Sequence, residues 1–281
     1  MNTLITGTKG FIAKRIKEIA TLATQNSNEK IYEMNEDIFD NEDWQEHLIK
    51  KLNEYKPNVV FHVGACSNTM ETDVNYIMTR NYEFTRIITD WCYDNNAAII
   101  YSSSAACYGN NGLHPSNLYG WSKYMGEHYV IGRGGIALRY FNVYGPGEEH
   151  KGRMASMAYQ MFKAGEAKLF PGYPERDFVY VDDVMMANLH AANGYNELRG
   201  KVFDVGSGTP CSFEHIANLL DVPYTHLDES TIPEGYQMYT CSNPEKWVPG
   251  WTPKMSIEKG IILCKTFWQK QLTNQESGQC L

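Results

Sequence analysis

Short apolar runs alternate with amphipathic stretches along the first half of the chain. MNTLITG at the amino terminus, PNVVFHVGA (Pro57–Ala65), AAIIYSSSA (Ala97–Ala105) and GIALRYFNV (Gly135–Val143) carry apolar residues back to back. Such runs suit strands covered on both faces, as in a parallel sheet. Asp43–Tyr55, Tyr76–Asn95 and Tyr119–Ile131 place their apolar residues at helical spacing instead. Strand following helix in this order predicts an α/β fold with a doubly wound parallel sheet. After about residue 145 the pieces shorten: a helix over Met154–Gly165, an RDFVYVDD segment, and a strand and helix over Val202–Leu220.

The first strand runs directly into Gly7-Thr8-Lys9-Gly10-Phe11-Ile12-Ala13 and an amphipathic helix. Glycine serves where a chain turns tightly and where backbone must approach a pyrophosphate, and the helix start behind it offers free N–H groups. Ala13 replaces the usual third glycine and is small enough for close helix packing. The second strand ends at Glu33, about twenty-five residues on, where a carboxylate takes the ribose hydroxyls of a dinucleotide and repels a 2′-phosphate. No basic residue follows within a dozen positions. These features predict a Rossmann-like site for NAD, with NADP as the alternative. Asp37 and Ile38 are expected to flank the adenine, and Gly64-Ala65-Cys66-Ser67 to close the next strand over the cofactor.

Downstream, Ser104 precedes a Tyr119-x-x-x-Lys123 pair by about fifteen residues. Residues four apart share a helix face, so Tyr119 and Lys123 can address one small volume. An ammonium beside a phenol favours phenolate. A tyrosine acting as a base near neutral pH needs its pKa brought from about 10 toward 7, roughly 4 kcal/mol of local electrostatics. Ser104 can donate to the oxygen of a reacting alcohol or ketone while Tyr119 exchanges its proton.

Composition narrows the class. The 281 residues are 43% hydrophobic with a net charge of −8, which argues against nucleic acid or an anionic membrane as partner. The apolar runs are too short to span a bilayer, and the first residues read as a strand rather than a signal peptide. Seven scattered cysteines, with no C-x-x-C pair and no Cys/His cluster at metal spacing, suit free thiols in a reducing cytoplasm and no metal site. The expected division is an NAD(P)-binding domain over 1–145 with returning segments near 176–206. A small interwoven C-terminal substrate-binding lobe over 146–270 follows, then a polar tail over 271–281.

TGxxGFIA, HVGACSNT, SSSAACYG, YGWSK, RYFNVYGPGEEHKGRMASMA and RDFVYVDD together resemble the extended short-chain dehydrogenase/reductases. Within them the chain is most similar to the branch that epimerises carbon 6 of an ADP-linked heptose. The resemblance runs from residue 1 to about 260. It implies oxidation of the carbon 6 alcohol by a bound nicotinamide, turning of the ketone, and return of the hydride to its other face. Tyr119 would then be one acid/base, with Lys123 as its partner and a holder of the nicotinamide ribose, and Ser104 would orient the carbon 6 oxygen. Lys151 matches a second acid/base, chemically reasonable because two faces need two proton donors.

By the same resemblance Gly7, Gly10, Phe11, Ile12, Asn81 and Val143 join the cofactor site. Asn142, Phe170, Gly172 and Tyr236 match the sugar and nucleotide pocket. Arg176 would pair with the diphosphate, against the plainer reading of a salt bridge with Asp177. Three positions depart from the branch: Arg153 stands for a serine, Gln160 for a histidine and Gly235 for an arginine. At Arg153 and Gln160 the substrate contacts are expected to change. The alternatives are a 4-epimerase or 4,6-dehydratase on another nucleotide-diphosphate sugar, or a non-catalytic NAD-binding module. Dehydratases need acids just after the catalytic hydroxyl, where this chain has Ala105 and Ala106. Loss of the Tyr/Lys pair would mark a non-catalytic module, and both residues are present. A homo-oligomer is expected, and Ile87, Ile88 and Trp91 fit either its interface or internal packing.

Overall fold

The computed structural model describes residues 1–276 apart from Asn26, Asn111, Glu234 and Gly235. Two compact units are present, the first comprising Met1–Tyr140, Met185–Val205 and Pro244–Trp251. Its strands are β1 (Asn2–Thr6), β2 (Lys30–Met34), β3 (Val59–His62), β4 (Ala98–Ser104), β5 (Ile136–Tyr140) and β6 (Lys201–Val205). They form one parallel sheet ordered β6-β5-β4-β3-β1-β2. The order reverses between β1 and β3, and ligands of open α/β sheets bind at the carboxyl ends beside such a reversal. The doubly wound sheet predicted from the alternation is therefore found.

The helices of this unit include α1 (Phe11–Thr24), α2 (Trp44–Tyr55), α3 and α4 (Leu118–Gly132). α3 consists of Val74–Met78, a π-turn over Thr79–Glu83 and Phe84–Asp94. Burial follows the sequence pattern. β4 is buried on both faces until Ser104, whereas the edge strand β2, KIYEM, is exposed or half-buried until Met34. Leu4, Leu48, Leu52, Val60, Ile88 and Ile99 share one core, each contributing about 1.5–3 kcal/mol. Ile87 and Trp91 are buried in it as well, and the Trp91 indole donates to Asn53 Oδ1 on α2 at 2.8 Å. Internal packing thus accounts for this apolar face of α3.

The second unit comprises Phe141–Val184, Gly206–Asn243 and the chain from Thr252. Small strand pairs build it: Asn142–Tyr144 with Phe178–Tyr180, Glu175–Arg176 with Cys211–Ser212, and Ala167–Leu169 with Tyr224–His226. Helices Met157–Ala164, Phe213–Leu220 and Ile257–Glu276 complete it, the last continuing into the polar stretch after Gln271. Gly135–Val143, read as one strand, divides at Phe141. Apolar runs reveal burial but not which sheet the backbone pairs with. The buried Asp177 carboxylate ties this unit together, accepting from Ser207 N (2.6 Å), Ser207 Oγ (2.7 Å), Gly208 N (3.0 Å), Ser242 N (2.8 Å) and Ser242 Oγ (2.6 Å).

Candidate active site

In the first unit the glycine turn lies where the sheet order reverses. Gly7 adopts φ +71°, and its O accepts from Gly10 N at 2.8 Å, which folds the turn onto the start of α1. A Cβ on Gly7 would lie 2.5 Å from Gly64 Cα, and one on Gly64 would lie 2.7 Å from Gly7 N. Both positions therefore exclude side chains, and the two backbones make a bare floor. Gly10 caps α1 without a side-chain bond, and the start of a helix favours an anion through its dipole. Phe11 and Ala13 are buried behind the turn and Ile12 is half-buried. This cradle fits the pyrophosphate of a dinucleotide.

Glu33 stands exposed at the end of β2. It accepts the Thr8 hydroxyl at 2.5 Å and pairs with Lys17 Nζ at 2.5 Å, and these partners hold its pKa below the ordinary carboxylate range, Lys17 most of all. The carboxylate is thus joined to the glycine turn through Thr8. Lys17 escaped the sequence reading because it precedes Glu33 in the chain, on the facing helix. Ile38 is buried and Asp37 exposed beside it.

The loop after β3 carries Gly64 and Ala65, half-buried, Cys66, buried, and Ser67, exposed. Burial pushes the Cys66 thiol up, so it is a packing group rather than a nucleophile. Asn81, in the π-turn of α3, is completely buried. It accepts from Cys66 N (2.7 Å) and donates to Cys66 O (3.1 Å) and Ser122 Oγ (2.9 Å). Its carboxamide braces the loop against α4. Arg80, next to it and unmarked by sequence, stacks on Tyr76 at 3.7 Å.

Asn117 caps α4 by accepting from Gly120 N at 2.8 Å, which sets Tyr119 in the first turn. Ser104, the last residue of β4, accepts from Ala106 N at 3.1 Å. Lys123 is buried and donates to the Ser102 carbonyl at 2.8 Å, with its ammonium 5.0 Å from the Tyr101 ring centre. The electrostatics correct the expectation of an ionised phenol. Burial pushes Tyr119 up to about 12, against the lowering effect of Ser104, and pushes Lys123 down to about 8. The ammonium is spent on β4, so the phenol keeps its proton. Sequence reading also missed Glu127, one turn further on. It accepts from Ser103 Oγ (2.6 Å) and, bidentately, from Arg139 Nε (2.8 Å) and Nη2 (2.6 Å).

In the second unit two clusters form. Arg176 is buried, 5.1 Å over the Tyr236 ring and 5.6 Å over Phe213, and Phe170 packs on Tyr236 with ring centres 4.9 Å apart. Burial holds the Arg176 pKa below its ordinary value. Asp177 does not form the plainer salt bridge, because its carboxylate is spent on Ser207, Gly208 and Ser242. Gly172, at φ +87°, has Met238 over the place of a Cβ. The other cluster lies on the 3₁₀ segment Glu149–Met154, where Gly152 at φ +56° separates half-buried Lys151 from exposed Arg153. Burial lowers the Lys151 pKa, opposed by the Glu148 charge. Gln160 donates to Ala155 O (2.7 Å) and Arg153 O (3.2 Å), bracing the segment's end. Asn142 is exposed and Val143 half-buried beside Tyr144, whereas Gly235 lies outside the described residues. Among the described residues no group of His, Cys, Asp and Glu could hold a metal ion, and no helix is long and apolar enough to cross a membrane.

Residues 3–206 match the NAD-dependent epimerase/dehydratase family. A curated relative, the ADP-L-glycero-D-manno-heptose-6-epimerase of Brachyspira hyodysenteriae, is 37% identical over a 257-residue alignment covering 80% of each chain. The crystal structure of the Helicobacter pylori ADP-L-glycero-D-manno-heptose-6-epimerase superposes with a TM-score of 0.79 at 26% identity, covering 94% of both chains. The Thermus thermophilus UDP-glucose 4-epimerase in complex with NAD shares the fold, with a TM-score of 0.77 at 21% identity and 96% and 99% coverage.

Proposed function

The chain belongs to the NAD-dependent epimerase/dehydratase family, and we propose that it interconverts the D-glycero and L-glycero forms of ADP-manno-heptose by inversion at carbon 6. The observation that carries this reading is the presence of Tyr119 and buried Lys123 on one helix, α4, which packs against β4 where that strand ends at Ser104, in a chain 37% identical to an enzyme of that name. The bare backbones of Gly7 and Gly64 would hold NAD, which would supply a hydride acceptor regenerated within one turnover.

The chain's own residues move the protons. Tyr119 exchanges the proton of the carbon 6 oxygen on one face, with Ser104 orienting that oxygen. A carbonyl that turns over presents its oxygen to another group, and Lys151 serves as the second acid/base; its lowered pKa brings it toward the working range. Arg176 takes the diphosphate, for which a guanidinium fork is well shaped, with Phe170 and Tyr236 as aromatic walls and Asn142 as a sugar contact. The six described cysteines are free thiols, which suits a homo-oligomer working in the reducing cytoplasm.

The departures favour one second reading. Gln160 is committed to backbone carbonyls and Arg153 extends into solvent, so a 4-epimerase acting on a different nucleotide-diphosphate sugar shares the same proton chemistry. Proton NMR of the purified protein with ADP-D-glycero-D-manno-heptose and no added nicotinamide tests the choice. Inversion at carbon 6 is expected. An unchanged heptose, with folded and cofactor-loaded protein, refutes the assignment, and turnover of a UDP-hexose instead selects the 4-epimerase.

A further inference from the structure

His62 ends β3 and is 1% exposed. Both nitrogens of its ring meet threonine hydroxyls. Nδ1 lies 2.9 Å from Thr6 Oγ1, and Nε2 lies 2.8 Å from Thr85 Oγ1. Neighbouring bonds fix the direction of each contact. The Thr85 hydroxyl donates to Asn81 O at 2.7 Å, so its oxygen accepts from an Nε2–H. Nδ1 then carries the lone pair and accepts from the Thr6 hydroxyl, whose oxygen in turn accepts from Gly64 N at 2.8 Å. Burial, helped by the Lys123 charge, holds the imidazole pKa down at about 3, which agrees with a neutral ring bearing one proton. The Phe84 and Tyr101 rings pack against it at 5.2 and 5.6 Å.

A one-way chain of hydrogen bonds therefore runs from Gly64 through Thr6, His62 and Thr85 to Asn81. At one end is the amide of the glycine that touches Gly7. At the other, Asn81 grips Cys66 and Ser122, and the Ser122 hydroxyl donates to Tyr119 O at 2.7 Å. We infer that His62 is a positioning residue that sets the Gly7–Gly64 cofactor floor and the seat of Tyr119 as one unit. The inference rests on the cofactor and proton-transfer roles proposed above, but not on the identity of the sugar.

Three substitutions break the chain at known points without changing side-chain shape greatly: Thr6→Val, His62→Phe and Thr85→Val. Each full-length variant is stripped of bound nicotinamide and titrated with NADH by fluorescence. Tyr119 is followed by ultraviolet difference titration against Tyr119→Phe, so neither readout needs a sugar substrate. Thr6→Val is expected to weaken NADH binding about tenfold, Thr85→Val to move the Tyr119 titration with binding retained, and His62→Phe to do both. Thr6→Val added to His62→Phe should cost little more affinity than His62→Phe alone, because links of one chain are not additive. Should His62→Phe fail to fold, the two threonine variants carry the test. Lower melting temperatures with unchanged NADH affinity and an unchanged Tyr119 titration would overturn the inference and leave His62 a packing residue.

Discussion

Lys123 gives the sharpest test of the electrostatics. Its ammonium is 4% exposed, donates to the Ser102 carbonyl and has its pKa lowered from 10.5 to about 8 by burial. Below pH 8 the folded protein holds a buried charge that the unfolded chain leaves in water. At about 1.36 kcal/mol per pKa step this costs roughly 3 kcal/mol at pH 7. Between pH 8 and 10.5 the unfolded chain binds more protons at this site than the folded one, so stability from this group rises with pH across that window. Lys123→Met removes the titration, although it also leaves Ser102 O unpaired, at a cost of about 1–3 kcal/mol. That loss is the same at every pH and drops out of a comparison. Urea unfolding of the native and Lys123→Met proteins at pH 7 and pH 10 should therefore show the native protein gaining about 2.5 kcal/mol on the variant. A difference that stays flat with pH would refute a buried, charged lysine.

Two further outcomes follow from the geometry. Gly64→Ala places a Cβ 2.7 Å from Gly7 N and 2.9 Å from Gly7 Cα, where backbone must give way. NADH affinity should fall at least tenfold, with a stability loss of about 1–3 kcal/mol by thermal unfolding; normal affinity would remove this pair from the cofactor floor. Lys151→Met should lower epimerase turnover by about two orders of magnitude or more, with the copurified nicotinamide content unchanged. Full turnover by the NMR assay would dismiss Lys151 as the second acid/base.

The sheet and the nucleotide turn were legible in sequence because both rest on local rules. Apolar runs mark covered strands, and Gly7 and Gly10 mark a turn that side chains cannot occupy. What sequence could not show depends on direction and partnership. Helical spacing correctly put Tyr119 and Lys123 on one face, yet their proximity did not make the ammonium a partner of the phenol, because the Ser102 carbonyl holds it. Asn81 carries a motif position but spends its amide on Cys66 and Ser122. Gln160, where a changed substrate contact is expected, donates to the Ala155 and Arg153 carbonyls, partners that its place in the sequence did not announce. Lys17 reaches Glu33 from across the first helix, a contact that no forward count from Glu33 could find.

The register between β4 and α4 explains why so many polar groups are buried beside Tyr119 and Lys123. Two neighbouring serines meet two successive turns of the helix: the Ser102 carbonyl takes Lys123, and Ser103 Oγ donates to Glu127. Arg139 on β5 clamps Glu127 from the far side with a two-bond fork. Buried ion pairs seldom add net stability, since desolvation offsets their attraction. An apolar seam at positions 119, 123 and 127 would hold the helix at least as firmly, but it would tolerate sliding. Here a slip of one residue would leave a buried ammonium and a buried carboxylate unpaired together, at several kcal/mol each. The network thus exchanges stability for a fixed register. On the proton-transfer role proposed for Tyr119, a fixed register keeps it facing the end of β4.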